Sequence, residues 1–243
     1  MITITGIIPA RYASTRFPGK PLVLIDGKTM IQRVYEQSKK SKQLNRVVVA
    51  TDDERIYNHV TSFGGEVIMT ASHHKSGTER CAEVAEKIIS DAYINIQGDE
   101  PYIHPEQIDE LADLLLKKEV QIATLVKKIS DNRELFNVNK PKVVISADKK
   151  ALYFSRQTIP FLRDVEQKEW LNHHTFYKHI GIYGYKRKSL LEIVKLPVSS
   201  LEKSEALEQL RWLENGYNIY TYETRFESYS VDTEQDLNLL PKT

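Results

Sequence analysis

Ile2-Thr3-Ile4-Thr5-Gly6-Ile7-Ile8-Pro9, continued by Ala10-Arg11-Tyr12-Ala13-Ser14-Thr15-Arg16-Phe17-Pro18-Gly19-Lys20, is the stretch that decides the fold. Its first eight residues are a mostly apolar run, which predicts a buried opening strand. Such a strand delivers the following loop to the carboxyl end of a sheet, where open α/β folds take their ligands. The loop carries the cations Arg11, Arg16 and Lys20, small side chains that let backbone amides approach a ligand, and hydroxyls at Ser14 and Thr15. That composition suits a polyphosphate. It is neither standard nucleotide loop. A Walker loop needs Ser or Thr after Gly-Lys, where Pro21 stands, and a dinucleotide fingerprint needs three spaced glycines, where the loop has only Gly19. A cationic surface loop without a ligand is the competing reading; the position of Arg11 directly behind a buried strand weighs against it.

Beyond the loop, strands and helices alternate. A helix is expected from about Thr29 to Lys40, with Met30, Ile31, Val34 and Tyr35 as its apolar face. Arg46 to Ala50 reads as a short strand ending in Thr51-Asp52-Asp53, and Asp53 can cap a helix running to about Phe63. Glu66 to Met69 is a third strand. Ser76-Gly77-Thr78-Glu79-Arg80 opens a helix reaching Ile88, and Ala92 to Gln97 is a fourth strand ending in Gly98-Asp99-Glu100-Pro101. Short strand–helix connections make a mostly parallel, Rossmann-like α/β sheet flanked by helices the economical solution.

The pattern changes after a helix from Pro105 to about Lys118. Gln121 to Ile129, Pro141 to Ser146 and Ala151 to Phe154 read as strands without helices between them, joined by the polar stretch Ser130 to Lys140. Asp164 to Thr175 is a second polar stretch. Residues 121–185 therefore read as a small antiparallel addition within one domain spanning 1–243. Strand–helix order then returns: Ile180 to Tyr185, a helix from about Lys188, another from Ser204 to Asn215, a strand from Asn218 to Tyr222, and a closing helix after Asp232.

At 243 residues, with 41% hydrophobic and 28% charged side chains, the chain can bury a substantial core. A formal net charge of +1 gives no long-range field for nucleic acid or an anionic membrane. The single cysteine, Cys81, excludes an intrachain disulfide and fits a reducing compartment. With no apolar leader or long apolar run, the expectation is a cytoplasmic protein without membrane insertion.

Several residues could carry chemistry, each with a plainer alternative. Asp99, at the end of a buried strand, can ligate Mg²⁺, act as a base, or cap the helix after Pro101. Asp232 can join it as a metal ligand or cap the terminal helix. Ser76 is a helix cap, with Glu79 completing a capping box, or a cap that also touches a ligand. His179 is a structural histidine or a group projecting from a strand edge. Arg156 and the pair Glu208-Gln209, within a helix, are polar groups beside apolar ones that could be ordinary surface; an arginine fork would suit a carboxylate substrate. His73, His74, His173 and His174 lack zinc-site spacing, and Cys81 reads as packing.

Taken in order, the loop, Gln97-Gly98-Asp99-Glu100-Pro101, Ser76 to Arg80, Tyr153-Phe154-Ser155-Arg156, His179 to Tyr185 and Leu207 to Arg211 resemble the 3-deoxy-manno-octulosonate cytidylyltransferase family. The likeness runs from about Ile4 to Leu240. It implies an enzyme joining CTP to the sugar acid 3-deoxy-manno-octulosonate (Kdo), giving CMP-Kdo and pyrophosphate for lipopolysaccharide assembly. It further implies that Ala10 to Ser14 wrap the triphosphate, neutralised by Arg11 and Lys20, and that Thr51, Asp52, Ser76, Gly77, Thr78 and Arg80 surround the cytidine. Asp99 and Asp232 would hold Mg²⁺, and Gln97, Arg156, His179, Tyr183, Glu208 and Gln209 would surround Kdo. A homodimer joined through the antiparallel section is also implied. Ser230 departs from the pattern, where the family leads one to expect glycine.

Overall fold

The computed structural model describes residues 2–13 and 17–241. Ser14, expected at the triphosphate, lies outside them. The predicted opening strand is β1 (Ile4–Ala10). Leu24–Ile25 and Lys28–Thr29 (β2 and β3) form a two-stranded hairpin before α1 (Met30–Ser38), which Thr29 caps by accepting the Gln32 amide. The order continues with β4 (Arg46–Thr51), α2 (Glu54–Ser62), β5 (Val67–Met69), α3 (Gly77–Lys87), β6 (Ala92–Asn95) and α4 (Pro105–Leu116). Asp53 caps α2 as expected, its carboxylate accepting the Arg55 amide at 3.0 Å.

The remaining strands are β7 (Ile122–Lys128), β8 (Lys142–Ile145), β9 (Ala151–Ser155), β10 (Tyr177–Lys186) and β11 (Ile219–Glu223). The main sheet runs β11-β7-β10-β6-β1-β4-β5. The pairs β6-β1, β1-β4, β4-β5 and β11-β7 are parallel, whereas β10 is antiparallel to both neighbours. β8 and β9 add an antiparallel hairpin to the first residues of β10. This is a mostly parallel central sheet flanked by helices with a small antiparallel addition, the architecture expected from the sequence.

Strand alternation divides the core in two. Ile4, Ile8, Val47, Val49 and Ile94 face α1, α2 and α4, while Ile7, Val48 and Tyr93 face α3 on the opposite side. Burial on both faces explains why the central strands read as unbroken apolar runs. A smaller core joins Ile129, Leu135, Trp170 and Phe176.

Four sequence expectations change. The stretch Ser130 to Lys140 contains α5 (Asn132–Leu135). The polar stretch Asp164 to Thr175 contains α6 (Trp170–His173), because Trp170, 2% exposed, anchors the small core. The helix expected from Ser204 to Asn215 is two, α8 (Ser200–Glu205) and α9 (Gln209–Glu214), following α7 (Arg187–Ile193). Ala206, with φ 51° in the left-handed region, turns the chain between them. The closing helix is a 3₁₀ segment, Glu234–Leu239. In addition, His179 lies inside β10 rather than ahead of it. A bulge between Ile180 and Tyr183 shifts the register there, and the Thr124 hydroxyl fills it, donating to the Ile182 carbonyl at 2.7 Å and lying 2.9 Å from His179 Nε2.

Candidate active site

The sheet brings β1, β6 and the segment after β11 to one edge. Gly98 follows β6 and lies against β1 so closely that a Cβ there would stand 2.7 Å from the Pro9 carbonyl oxygen. Only glycine permits that approach, and it sets Asp99 beside the loop. Lys20 enters through Gly19, whose φ of 73° starts a 3₁₀ turn. The Gly19 amide donates to the Tyr12 carbonyl at 2.9 Å, and the Arg55 guanidinium lies 3.3 Å over the Tyr12 ring.

Lys20 Nζ donates to Asp99 Oδ2 at 2.7 Å and to the Val231 carbonyl at 2.7 Å, and lies 4.0 Å from Asp232 Oδ1. The Val231 amide in turn donates to the Asp99 carbonyl at 2.9 Å. Residues distant in sequence are thus fixed as one unit. The helix after Pro101 is capped by His104, so capping is not the role of Asp99; Thr233 caps the terminal segment beside Asp232.

No group of three or more His, Cys, Asp or Glu side chains among the described residues is arranged to hold a metal. The Asp99 and Asp232 carboxylates nevertheless fit Mg²⁺. They are hard oxygen donors, a cation already stands beside both, and Mg²⁺ is commonly held by one or two carboxylates together with substrate phosphates and water.

A second group of candidates gathers around the start of α3. Arg11 donates to the His74 and Lys75 carbonyls at 3.2 and 3.1 Å. His74 Nε2 lies 2.5 Å from Glu83 Oε2; burial works against the Glu83 charge, but Lys87, His74 and the Ala71 amide prevail and bring its pKa down to about 2. Arg80 is only 1% exposed, with its guanidinium paired to Asp52 at 3.2 Å and donating to the Thr70 hydroxyl. It holds the turn carrying Thr51 and Asp52 against α3 rather than offering a free fork. Ser76 caps α3 by accepting the Glu79 amide at 3.2 Å, but Glu79 accepts the Lys75 amide and does not close the expected capping box.

Ser76 and Thr78 also donate to the two oxygens of Glu208, at 2.8 and 2.7 Å. Glu208 sits at the entry to α9, not within a helix, and burial raises its pKa despite these bonds. The nearby Tyr183 hydroxyl and Asn95 Oδ1 are buried without a hydrogen-bond partner among the described residues. Native proteins leave few such groups unpaired, so this pair is a candidate for polar contact with a ligand. Gly77 would place a Cβ 3.5 Å from Asn95 Nδ2, and Gln209 is buried beside Glu208.

A cavity of about 240 Å³ joins Gln97, Asp99, His179, Gly181 and Asp232. His179 is enclosed by Phe154 and Tyr183, with ring centroids at 5.2 and 5.1 Å, and burial pushes its pKa down to about 3, so it is neutral near pH 7. Tyr183, Glu208 and Gln209 lie outside this cavity wall. So does Arg156, whose amide donates to Glu205 and whose guanidinium donates to the carbonyls of Glu205, Val138 and Ala206. It fixes the turn between α8 and α9.

Sequence reasoning missed the cavity-lining Lys140, Lys178 and Glu227. Lys178 stands directly before His179, but nothing in local sequence reveals that Glu227 returns to meet it. Asn95 carried a weak signal as a polar residue at the end of an apolar strand.

The chain matches the cytidylyltransferase family over residues 5–224. A 3-deoxy-manno-octulosonate cytidylyltransferase of Cytophaga hutchinsonii is 54% identical over 239 residues, covering 97% of this chain and 95% of that protein. A relative of the same name from Thermodesulfovibrio yellowstonii is 49% identical, covering 100% of this chain and 98% of its own. The solved structure of CMP:2-keto-3-deoxy-manno-octonic acid synthetase complexed with CTP superposes with a TM-score of 0.91 at 42% identity, covering 98% of this chain and 96% of that one. A Leptospira borgpetersenii cytidylyltransferase, 16% identical with a TM-score of 0.63, shares the fold. The chain therefore belongs to the 3-deoxy-manno-octulosonate cytidylyltransferase family.

Proposed function

We propose that this protein transfers CMP from CTP to the anomeric hydroxyl of Kdo, giving CMP-Kdo and pyrophosphate. One observation carries the mechanism: Lys20, from the loop after β1, is held beside Asp99 and Asp232 at the wall of a cavity that also contains Gln97 and His179. Cation, carboxylates and a polar pocket are the parts needed where two anionic substrates meet.

The hydroxyl oxygen bonds to the α-phosphorus, the bond to the bridging oxygen of pyrophosphate breaks in line, and the hydroxyl proton is released. Lys20 has three donors, of which Asp99 and Val231 take two; the third serves a phosphate oxygen. Arg11 adds positive charge at the same loop, and backbone from Ala10 onward wraps the triphosphate. Asp99 and Asp232 would hold Mg²⁺, which supplies charge neutralisation and lowers the acidity barrier of the attacking hydroxyl.

The Thr51-Asp52 turn, secured by Arg80, and the Ser76-Gly77-Thr78 start of α3 form the cytidine side. Gln97 and neutral His179 bind sugar hydroxyls in the cavity, with Tyr183, Glu208 and Gln209 behind it and Arg156 positioning the turn before Glu208. Orientation supplies the rest of the rate, since the hydroxyl must approach phosphorus ahead of the sugar carboxylate. Among the described residues, no helix is long and apolar enough to cross a membrane. The protein works as a cytoplasmic homodimer joined through its antiparallel section.

Competition between Kdo, its amino analogue and a sialic-type acid at saturating CTP tests the substrate assignment. Kdo is expected to give the highest kcat/KM, and a higher value for another acid would replace it as the substrate.

A further inference from the structure

Five alternating charges form a chain, three of which, Lys140, Lys178 and Glu227, line the sugar cavity. Lys127 Nζ lies 2.9 Å from Glu227 Oε2, Lys178 Nζ donates to Glu227 Oε1 at 2.5 Å and to Glu134 Oε1 at 2.6 Å, and Lys140 Nζ is 2.7 Å from Glu134 Oε1. The members come from β7, β10, α5, the loop after α5 and the segment following β11. Lys178 is their hub, with only 4% of its surface exposed. Burial opposes the charges of Glu227 and Glu134, but the neighbouring ammoniums outweigh it and leave both carboxyl groups below their ordinary pKa.

The end of the segment from Glu227 to Asp232 is held by Lys20 and Asp99, which bond the Val231 carbonyl and amide, and Ser228 bonds Glu100; its start is held elsewhere. Phe226 stacks on His104 at 3.9 Å before it, and Val231 is buried at its end; between them Tyr229 and Ser230 are exposed. Glu227 is the tie that draws the start of this segment onto β7 and β10. On the other side, Lys178 reaches Glu134, which Lys140 joins to the Asn139-Lys140-Pro141 wall of the same cavity.

We infer that Lys178 is a positioning residue which, through Glu227 and Glu134, clamps together two walls of the sugar pocket, the one at 227–228 and the one at 139–141. This rests on the Kdo-binding role given to that pocket. Two of the three Lys178 donors go to protein carboxylates, and it is through these that it joins the two walls.

The test compares Lys178→Met, Lys178→Arg and Glu227→Gln in the full chain, reading steady-state kinetics and amide hydrogen exchange of residues 225–231 without substrate or metal. Lys178→Met and Glu227→Gln are expected to raise KM for Kdo about tenfold, to leave KM for CTP within about twofold, and to speed exchange in 225–231 about tenfold while the β1 and β6 amides stay protected. Lys178→Arg, which can still reach both carboxylates, is expected to restore most of each property. Unchanged exchange in both neutral variants overturns the clamp. A rise in KM for Lys178→Met that Glu227→Gln does not share also overturns it, making Lys178 a direct substrate ligand. If wild-type protein does not use Kdo, the substrate reading fails while exchange still decides the clamp.

Discussion

Asp99 carries the heaviest demand of any single residue, because one carboxylate both anchors Lys20 and faces the cavity shared with Asp232. In Asp99→Asn the charge proposed to hold Mg²⁺ is halved while the shape is kept. The Mg²⁺ concentration for half-maximal rate is expected to rise at least tenfold and kcat to fall on the order of a hundredfold, the scale of losing one preorganised electrostatic group. A metal titration of the rate checks this, and an unchanged Mg²⁺ requirement would remove Asp99 from the metal site. His179 makes a separate prediction through its pKa of about 3. The folded pKa lies below the unfolded value, so the unfolded chain binds more protons as pH falls. The contribution is fully present above about 6.5 and is lost as pH drops toward 3. Unfolding free energies from urea titrations at pH 7 and pH 4.5 should therefore converge in His179→Gln relative to wild type, by about a few kcal/mol at most; equal pH sensitivity in the two proteins would contradict the burial argument.

Among the elements, β6 and its exit define the site more than any helix does. Gly98→Ala would push a Cβ to 2.7 Å from the Pro9 carbonyl, and backbone cannot rotate away as a side-chain tip can. A stability loss of about 1–3 kcal/mol is expected, together with a raised Mg²⁺ requirement from the displaced Asp99. Denaturant and metal titrations of one protein sample measure both, and wild-type values for both would show that the close approach is not needed. This scale also marks where sequence reasoning succeeds. β1, β4 and β6 were legible because burial on both faces writes an uninterrupted apolar run. Asp99 could be singled out because it closes such a strand, but its grouping with Lys20 and Asp232 came from the family resemblance, since Asp232 read equally well as a helix cap. The break between α8 and α9 was not legible, since it depends on Ala206 adopting a left-handed turn stabilised by Arg156 from another element. The ion chain through Lys178 was hidden for the same reason: its carboxylates lie 44 and 49 residues away.

In the proposed reading the nucleotide residues and the sugar residues meet directly, since Glu208 accepts from both Ser76 and Thr78. The antiparallel β10 is what joins them, since it pairs with β6 beside the nucleotide loop and carries His179 to the sugar cavity through a bulge. A nonenzymatic nucleotide-binding protein would have no need for a polar cavity beside Lys20 with two carboxylates in its wall. The most direct test is pyrophosphate release from CTP and Mg²⁺, with Kdo supplied or omitted and the nucleotide product identified by mass. The expected result is release only when Kdo is present, with CMP-Kdo as the product. Pyrophosphate release that is indifferent to Kdo, or CTP binding with no release in the presence of any sugar acid, would contradict the proposed reaction.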